Sequence, residues 1–350
     1  MSGGTAAGSG LDGVAPSRGS GLRRYSRLVA LATLFLIFAG GMVTSTGSGL
    51  AVPDWPLSYG MLFPPMVGGI FYEHGHRMIA GLVGLMIGGL AIWLLRSERR
   101  RWVRRIGVAA GLAVIAQALL GGLTVLLLLP DAISISHAAL AEIVFCLTVT
   151  IAVATSTGWQ TAGATANSME PGRAGRDHDW TVTARWAAMT TGLIYVQILL
   201  GAVMRHTGAG LAIPDFPLSY GRLVPASLAG GIGVHFAHRV GALVVGLAVI
   251  GLALRVIGRH RRDGWLVRPV VLLLFLLVAQ VTIGAMTIWS VKAPVPTSLH
   301  VVCGAATLGM SLLLTLRAYR RRACEVPRGT LIDTRARAAV EHAAPRAARA

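Results

Sequence analysis

Charge is what this chain has least of. Asp, Glu, Lys and Arg make up 13% of its 350 residues, against a hydrophobic share of 54% and a mean hydropathy of +0.65. Soluble domains carry about 25% charged residues to cover their surface, so a water-soluble fold is excluded. Lysine is nearly absent: Lys292 stands alone, and the net charge of +18 is arginine. The arginines fall in short blocks between long apolar runs, which is membrane topology and not a groove for nucleic acid. Cysteine is scarce as well. Cys146 and Cys303 lie in apolar runs and Cys324 lies near the C-terminus, so an external disulfide is excluded. No CxxCH occurs, which excludes covalent attachment of c-type haem.

What is present is apolar sequence in lengths that cross a bilayer, about 20 residues of helix each. Eight such runs lie near Leu28–Val43, His76–Leu95, Ile106–Leu129, His137–Ala154, Ala184–Met204, His238–Leu254, Leu266–Ile288 and His300–Leu316. Arginine blocks occupy the N-terminal arm (Arg18, Arg23, Arg24, Arg27), the segments RSERRRWVRR and RVIGRHRRDGWLVR, and Arg320, Arg321 and Arg322 after the last run. The opposite side keeps Arg77, Arg205, Arg222, Arg239 and Lys292. The positive-inside bias therefore predicts a multi-pass protein of the cell (plasma) membrane with both termini cytoplasmic. The first run is read as a retained helix, not a signal peptide, because the second half has its counterpart. Residues 1–27 are expected to be a disordered arm and 317–350 a cytoplasmic tail, with a helix-poor linker at 155–183.

The chain repeats itself. GGMVTSTGSGLAVPDWPLSYG (Gly40–Gly60) pairs without a gap with GAVMRHTGAGLAIPDFPLSYG (Gly201–Gly221). HRMIAGLVGL from His76 pairs with HRVGALVVGL from His238, and QALLGGLTV from Gln117 with QVTIGAMTI from Gln280. At that last offset His137 falls on His300. The expectation is an all-α integral membrane protein of eight transmembrane helices, built as two four-helix bundles, 28–154 and 184–316. An even number of helices per unit relates them by a pseudo-two-fold axis along the membrane normal.

The repeat singles out two histidine pairs, His76 with His137 and His238 with His300. In each half one histidine opens the second helix and the other the fourth, which places all four at one depth near the outer surface. Facing histidines from paired helices are what an axially ligated haem iron requires. Helix-end histidines bonded to loop carbonyls are the ordinary alternative. Zinc or copper suits two histidines without cysteine less well. His74, His178, His206, His260 and His342, which the repeat does not match, take the ordinary reading.

The halves also differ. Glu73 precedes His76 by three residues, where the second half has His235 before His238; Glu142, about one and a half turns beyond His137, stands against Ala305. A carboxylate inside a membrane is costly and is either paired or functional. Glu73 is thus a reactive group or a partner of Arg77, and Glu142 a proton-path residue or a hydrogen-bonded buried acid. The asymmetry suggests a reactive first half and an electron-relaying second half. In the repeated loops Gly47, Gly49, Gly208 and Gly210 permit positive φ, and Pro53, Pro56, Pro214 and Pro217 stiffen the chain. Trp55 and Phe216 give each loop an apolar face, so each is a lid or simply a well-packed turn. Arg77 and Arg239 either meet haem propionates or snorkel at the interface.

The duplicated four-helix unit, the loop TGSGLAVPDWPLSYG, the run EHGHR and the later histidines resemble the haem A synthase family over roughly Arg27 to Arg320. The resemblance implies oxidation of the ring-D methyl of haem O to a formyl group, by successive hydroxylations. It implies haem b as cofactor on His238 and His300, a substrate haem site at His76 and His137, and Glu73 as catalytic residue. Haem O, membrane lipid, a haem O synthase and cytochrome oxidase assembly factors are the partners it implies. Two departures stand out. Val52 and Ser58, with Ile213 and Ser219 in the second copy, occupy positions where many members carry a cysteine pair. Thr44 replaces an arginine often found before TGSGL, while the second half keeps Arg205. The competing reading is a dihaem b-type membrane electron-transfer protein, which needs the same histidines and no Glu73. A transporter is a third, disfavoured by the lack of matched helix breaks at the midplane.

Overall fold

The computed structural model describes residues 19–165 and 174–325. The start of the arm and the tail beyond Arg328 lie outside the described residues. Within them the chain forms α1 (Ser20–Ser45), α2 (Gly68–Ser97), α3 (Arg101–Leu126), α4 (Asp131–Ala154), the short α5 (Thr157–Thr165), α6 (Ala174–His206), α7 (Gly231–His260), α8 (Gly264–Trp289) and α9 (Pro294–Glu325). All but α5 are long and apolar enough to cross a membrane, with Asp179–His206 and Pro294–Ala323 as the spanning parts of α6 and α9. The chain is an all-helical, multi-pass membrane protein.

Each membrane-spanning helix begins before the apolar stretch that marked it, and all but α3, which stops at Leu126, and α4, which stops at Ala154, also run past its end. Backbone groups in and near lipid must be bonded internally, so the helix continues past the last apolar residue until water or a loop can take over. The end of the expected disordered arm, Ser20–Arg27, is accordingly helical. It is fastened by Tyr25 Oη to the Met86 carbonyl at 3.0 Å and by a 2.8 Å bond between the Ser26 and Thr155 hydroxyls. The linker is less helix-poor than expected, because it holds α5 and the first turns of α6. The four repeat-matched histidines do not open their helices. Each lies about two turns inside α2, α4, α7 or α9, deeper than the sequence boundaries suggested.

Helices α1 to α4 pack as one ring of neighbours and α6 to α9 as another; α1 meets α9, α4 meets α6, and α4 meets α9 across the seam. Exchanging the halves turns the α1–α9 contact into the α6–α4 contact and returns α4–α9 to itself, a pattern consistent with the pseudo-two-fold axis. Each half has its own apolar core, around Val29, Ile87, Leu90 and Leu94 in the first and Val249, Leu252, Leu266 and Leu273 in the second. Mid-helix leucines face outward instead, Leu85 at 77% and Leu243 at 64% exposure, the side chains that meet lipid tails.

Candidate functional site

The repeated loop is a turn built twice from the same bonds. The Asp54 carboxylate accepts from the backbone N–H of Tyr59 and Gly60 at 2.7 and 2.8 Å, and Asp215 accepts from Tyr220 and Gly221 at the same distances. These bonds hold both carboxyls below the usual Asp range. Tyr59 and Tyr220 donate their hydroxyls to the carbonyls of Ala51 and Ala212 at 2.6 Å. Gly47 and Gly208 take positive φ as expected, but Gly49 and Gly210 do not. Gly49 serves close approach instead: a Cβ there would lie 3.3 Å from Leu129. Trp55 lies against α3 where a Cβ on Gly122 would come within 2.7 Å of its ring. Val52, Ser58, Ile213 and Ser219 are all buried, and Ser58 Oγ bonds His74 Nδ1 at 2.8 Å. Hydrogen bonds and packing thus hold both loops at these four positions.

Arg77 and Arg239 clamp these loops to the helices that carry His76 and His238. Arg77 donates through Nη1 to the carbonyls of Asp54 and Leu57, and through Nη2 to Val52 O and to Glu73 Oε1 at 2.6 Å. Arg239 donates through Nη1 to Leu218 O and Ser219 Oγ, and through Nη2 to Ile213 O and Asp215 O. Each terminal nitrogen has two hydrogens and already two acceptors, so these groups have no spare donor there for a propionate. Glu73 and His235 occupy one structural slot. Glu73 Oε2 accepts from Val52 N–H at 2.8 Å, and His235 Nδ1 faces Ile213 N–H at 3.3 Å. Both are buried, at 3% and 2% exposure, and only the first puts a carboxylate there.

The four matched histidines share one local design. The even-numbered member of each helix pair in the first half, and its repeat partner in the second, carries the histidine; the preceding helix opposes it with a glycine. A Cβ on Gly40 of α1 would stand 3.1 Å from His76 Cε1, and one on Gly121 of α3 would stand 3.0 Å from His137 Cε1. In the second half Gly201 of α6 and Gly284 of α8 approach His238 and His300 Cε1 at 3.0 and 2.8 Å. Carbon contacts are optimal at about 3.5–4.0 Å, so any side chain at these positions would press on the rings, hardest at Gly284. The repeat matches Gly40 to Gly201 and Gly121 to Gly284.

The His238 and His300 ring centres lie 6.5 Å apart. A metal roughly 2 Å from each ligating nitrogen sets two ring centres about 6 Å apart, so this pair fits a bis-histidine iron. Among the described residues no three His, Cys, Asp or Glu side chains gather as a metal cluster. The residues fit a haem held through its iron between two histidines.

Glutamines are the part of the site the histidine pattern alone did not reveal. Gln117 Nε2 donates to the His137 carbonyl at 2.9 Å, and Gln280 Nε2 lies 3.4 Å from His300 Nε2. The repeat had already matched Gln117 to Gln280 inside apolar runs, which was the available signal. Glu142 is 3% exposed with Oε2 unpartnered. It stands near Cys146 on its own helix and Tyr195 of α6, at the seam between halves. Arg205 crosses that seam, donating through Nη2 to Gly41 O and Ser45 Oγ, each at 2.8 Å.

The fold and site define a duplicated four-helix membrane protein with one half-buried histidine pair in each half. A model of the cytochrome oxidase assembly protein family (COX15-CtaA) matches residues 66–312, and the chain belongs to that family. Among its relatives is a protein named heme A synthase from Symbiobacterium thermophilum, 30% identical across 76% of this chain and 85% of its own length. One of the same name from Alkalihalophilus pseudofirmus is 30% identical across 78% and 89%. Another from Geobacillus kaustophilus is 27% identical across 85% and 93%.

Proposed function

We propose that this protein is a haem A synthase, oxidising the ring-D methyl of haem O to the formyl group of haem A for terminal oxidase assembly. The family and the names of its relatives support the activity. The division of labour rests on one observation: Glu73 and His235 fill the same slot, each facing the loop N–H of residue 52 or 213, with a carboxylate in the first half only.

The first half, 28–154, receives haem O between His76 and His137, and the second, 184–316, holds haem b on His238 and His300. Haem b, when bound, supplies one-electron redox chemistry. Turning the methyl into a formyl group removes four electrons from that carbon and adds one oxygen. Glu73, kept in place by Arg77 and Val52 N–H, accepts a proton from the reacting carbon or stabilises positive charge developing there. The loops cover each pocket, and Arg77 and Arg239 act as their clamps in preference to propionate partners. Glu142, at the seam between the halves, is the candidate for carrying protons. The apolar exterior suits a substrate delivered through lipid, with a haem O synthase and oxidase assembly factors as the partners that supply and use the haem.

The protein lies in the plasma membrane with both termini in the cytoplasm. Supporting this orientation, a belt of arginines stacks on tryptophans at the end away from the repeated loops: Arg100 on Trp102, Arg320 on Trp159, Arg317 and Arg321 on Trp265. The test is extraction and chromatography of haems from membranes expressing the chain beside a haem O synthase. Haem A or its hydroxylated intermediate is the expected product. Haem b with untouched haem O would refute the proposal and leave a dihaem electron carrier.

A further inference from the structure

The two pockets differ in what holds the far side of the imidazole. On α6, Gln197 stands one turn before Gly201, so one helix face presents both the seat of His238 and an amide. Gln197 Nε2 lies 3.0 Å from His238 Nδ1 and 2.7 Å from the His238 carbonyl oxygen. Gly241 makes the room, since a Cβ there would collide with Gln197 Oε1. At the repeat offsets the first half has Leu36 for Gln197 and Ile79 for Gly241, and both pack against its apolar core. The two differences go together: an amide with a gap in one half, two aliphatic side chains in the other. His76 Nδ1 is left buried without a partner. The fourth helices repeat the split. His300 Nδ1 lies 3.2 Å from the Gln280 carbonyl, whereas His137 Nδ1 is buried and unpartnered.

We propose that Gln197, accommodated by Gly241, is the positioning residue that makes His238 a permanent haem ligand, and that Leu36 and Ile79 keep the first pocket exchangeable. The inference rests on the reading of the second half as the haem b half. An imidazole that binds iron through Nε2 carries its proton on Nδ1. A partner at Nδ1 fixes the tautomer and ring orientation and raises the basicity of the ligating nitrogen. Presenting Oε1 to that N–H takes a half-turn of the Gln197 amide that gives up its 2.7 Å bond to the His238 carbonyl, so the side chain also shifts off that oxygen. The Gln280 carbonyl already serves His300 in this way. In the first half neither Nδ1 has a partner, so each ring is a weaker donor and freer to turn. That suits a pocket whose occupant enters as substrate and leaves as product, while a resident cofactor needs the opposite.

The experiment uses the full chain purified in lipid nanodiscs, with release of haem b to apomyoglobin and the midpoint potential of the low-spin haem as readouts. Gln197→Met keeps the length and removes the amide. It is expected to release haem b about tenfold or more faster and to shift the potential upward. Gln197→Glu, a stronger acceptor, shifts the potential downward, a reversal that a merely structural role does not produce. Leu36→Gln combined with Ile79→Gly is expected to slow release of haem from the first pocket. Unchanged release and potential in both Gln197 variants, with haem b still on His238 and His300, overturn the inference and leave the synthase reading standing. Wild-type protein that purifies without bis-histidine haem b in the second half overturns that reading and the inference with it.

Discussion

Replacing Gly284 by alanine adds one methyl group at the tightest of the four histidine seats. That carbon would lie 2.8 Å from His300 Cε1 and 3.2 Å from Nδ1. Restoring an ordinary carbon contact requires the ring or α8 to move by roughly 0.7 Å or more. Overpacking of this kind costs about 1–3 kcal/mol. The displacement falls on a ring whose Nε2 must meet iron while Nδ1 keeps its 3.2 Å contact with the Gln280 carbonyl. If the strain is carried mainly by the haem-bound state, affinity falls about tenfold or more, since ~1.4 kcal/mol is a factor of ten. The assay is haem b per mole of purified chain, with the low-spin absorption spectrum. Gly284→Ala is expected to lose haem b and gain a high-spin component, and Gly201→Ala, at 3.0 Å, to do so less. Gly246→Ala is the control, because a Cβ there meets nothing within 4 Å; it should keep full haem and gain up to about 1 kcal/mol of helix stability. Full haem content and a wild-type spectrum in Gly284→Ala would refute the idea that these glycines seat the ligands.

Three further outcomes are expected. Glu73→Gln should retain haem b yet make haem A at least about a hundredfold more slowly, the scale of a lost acid–base group, as measured by haem chromatography after co-expression with a haem O synthase. Gly122→Ala should displace Trp55, whose ring a Cβ there would approach at 2.7 Å, and Trp55→Phe should rescue it. The second half already has Phe216 and Ala285 at the matching positions, and Trp fluorescence with protease sensitivity of the loop reads the effect. Backbone N–H groups of Gly60 and Tyr59 hold Asp54 below its ordinary value, and those of Gly221 and Tyr220 do the same for Asp215. A depressed folded-state pKa gives loop stability that is complete above the unfolded value and lost as pH falls through the folded one. Hydrogen exchange at those four amides should therefore stay slow through mild acid and accelerate only below about pH 4. Protection lost near pH 6 would point to histidine instead.

The repeat carried most of what the sequence had to say. Composition forced a membrane fold, arginine blocks divided it into spans, and matched offsets picked His76, His137, His238 and His300 from ten histidines. Depth was less legible, because hydropathy ends where polar residues begin while a helix ends where its backbone finds other partners. Gly68 to Gly75 therefore looked like loop and proved to be two turns of α2. Glu73 was visible as an asymmetry and its pairing with Arg77, four residues on along α2, was within reach; its bond to Val52 was not, since it joins the helix to a loop about twenty residues away. Gln197 was the hardest to see. Its importance lies in a gap at Gly241, and a gap registers in sequence only when Leu36 and Ile79 are set beside it.

The central claim is that the two halves do different work. Its most direct test is the haem content of His76→Ala and His238→Ala proteins, each purified from cells that also make haem O. The account predicts that His76→Ala keeps haem b but holds neither haem O nor haem A, and that His238→Ala loses haem b. Equal loss of haem b from both variants would contradict it and make the pockets equivalent sites of an electron carrier.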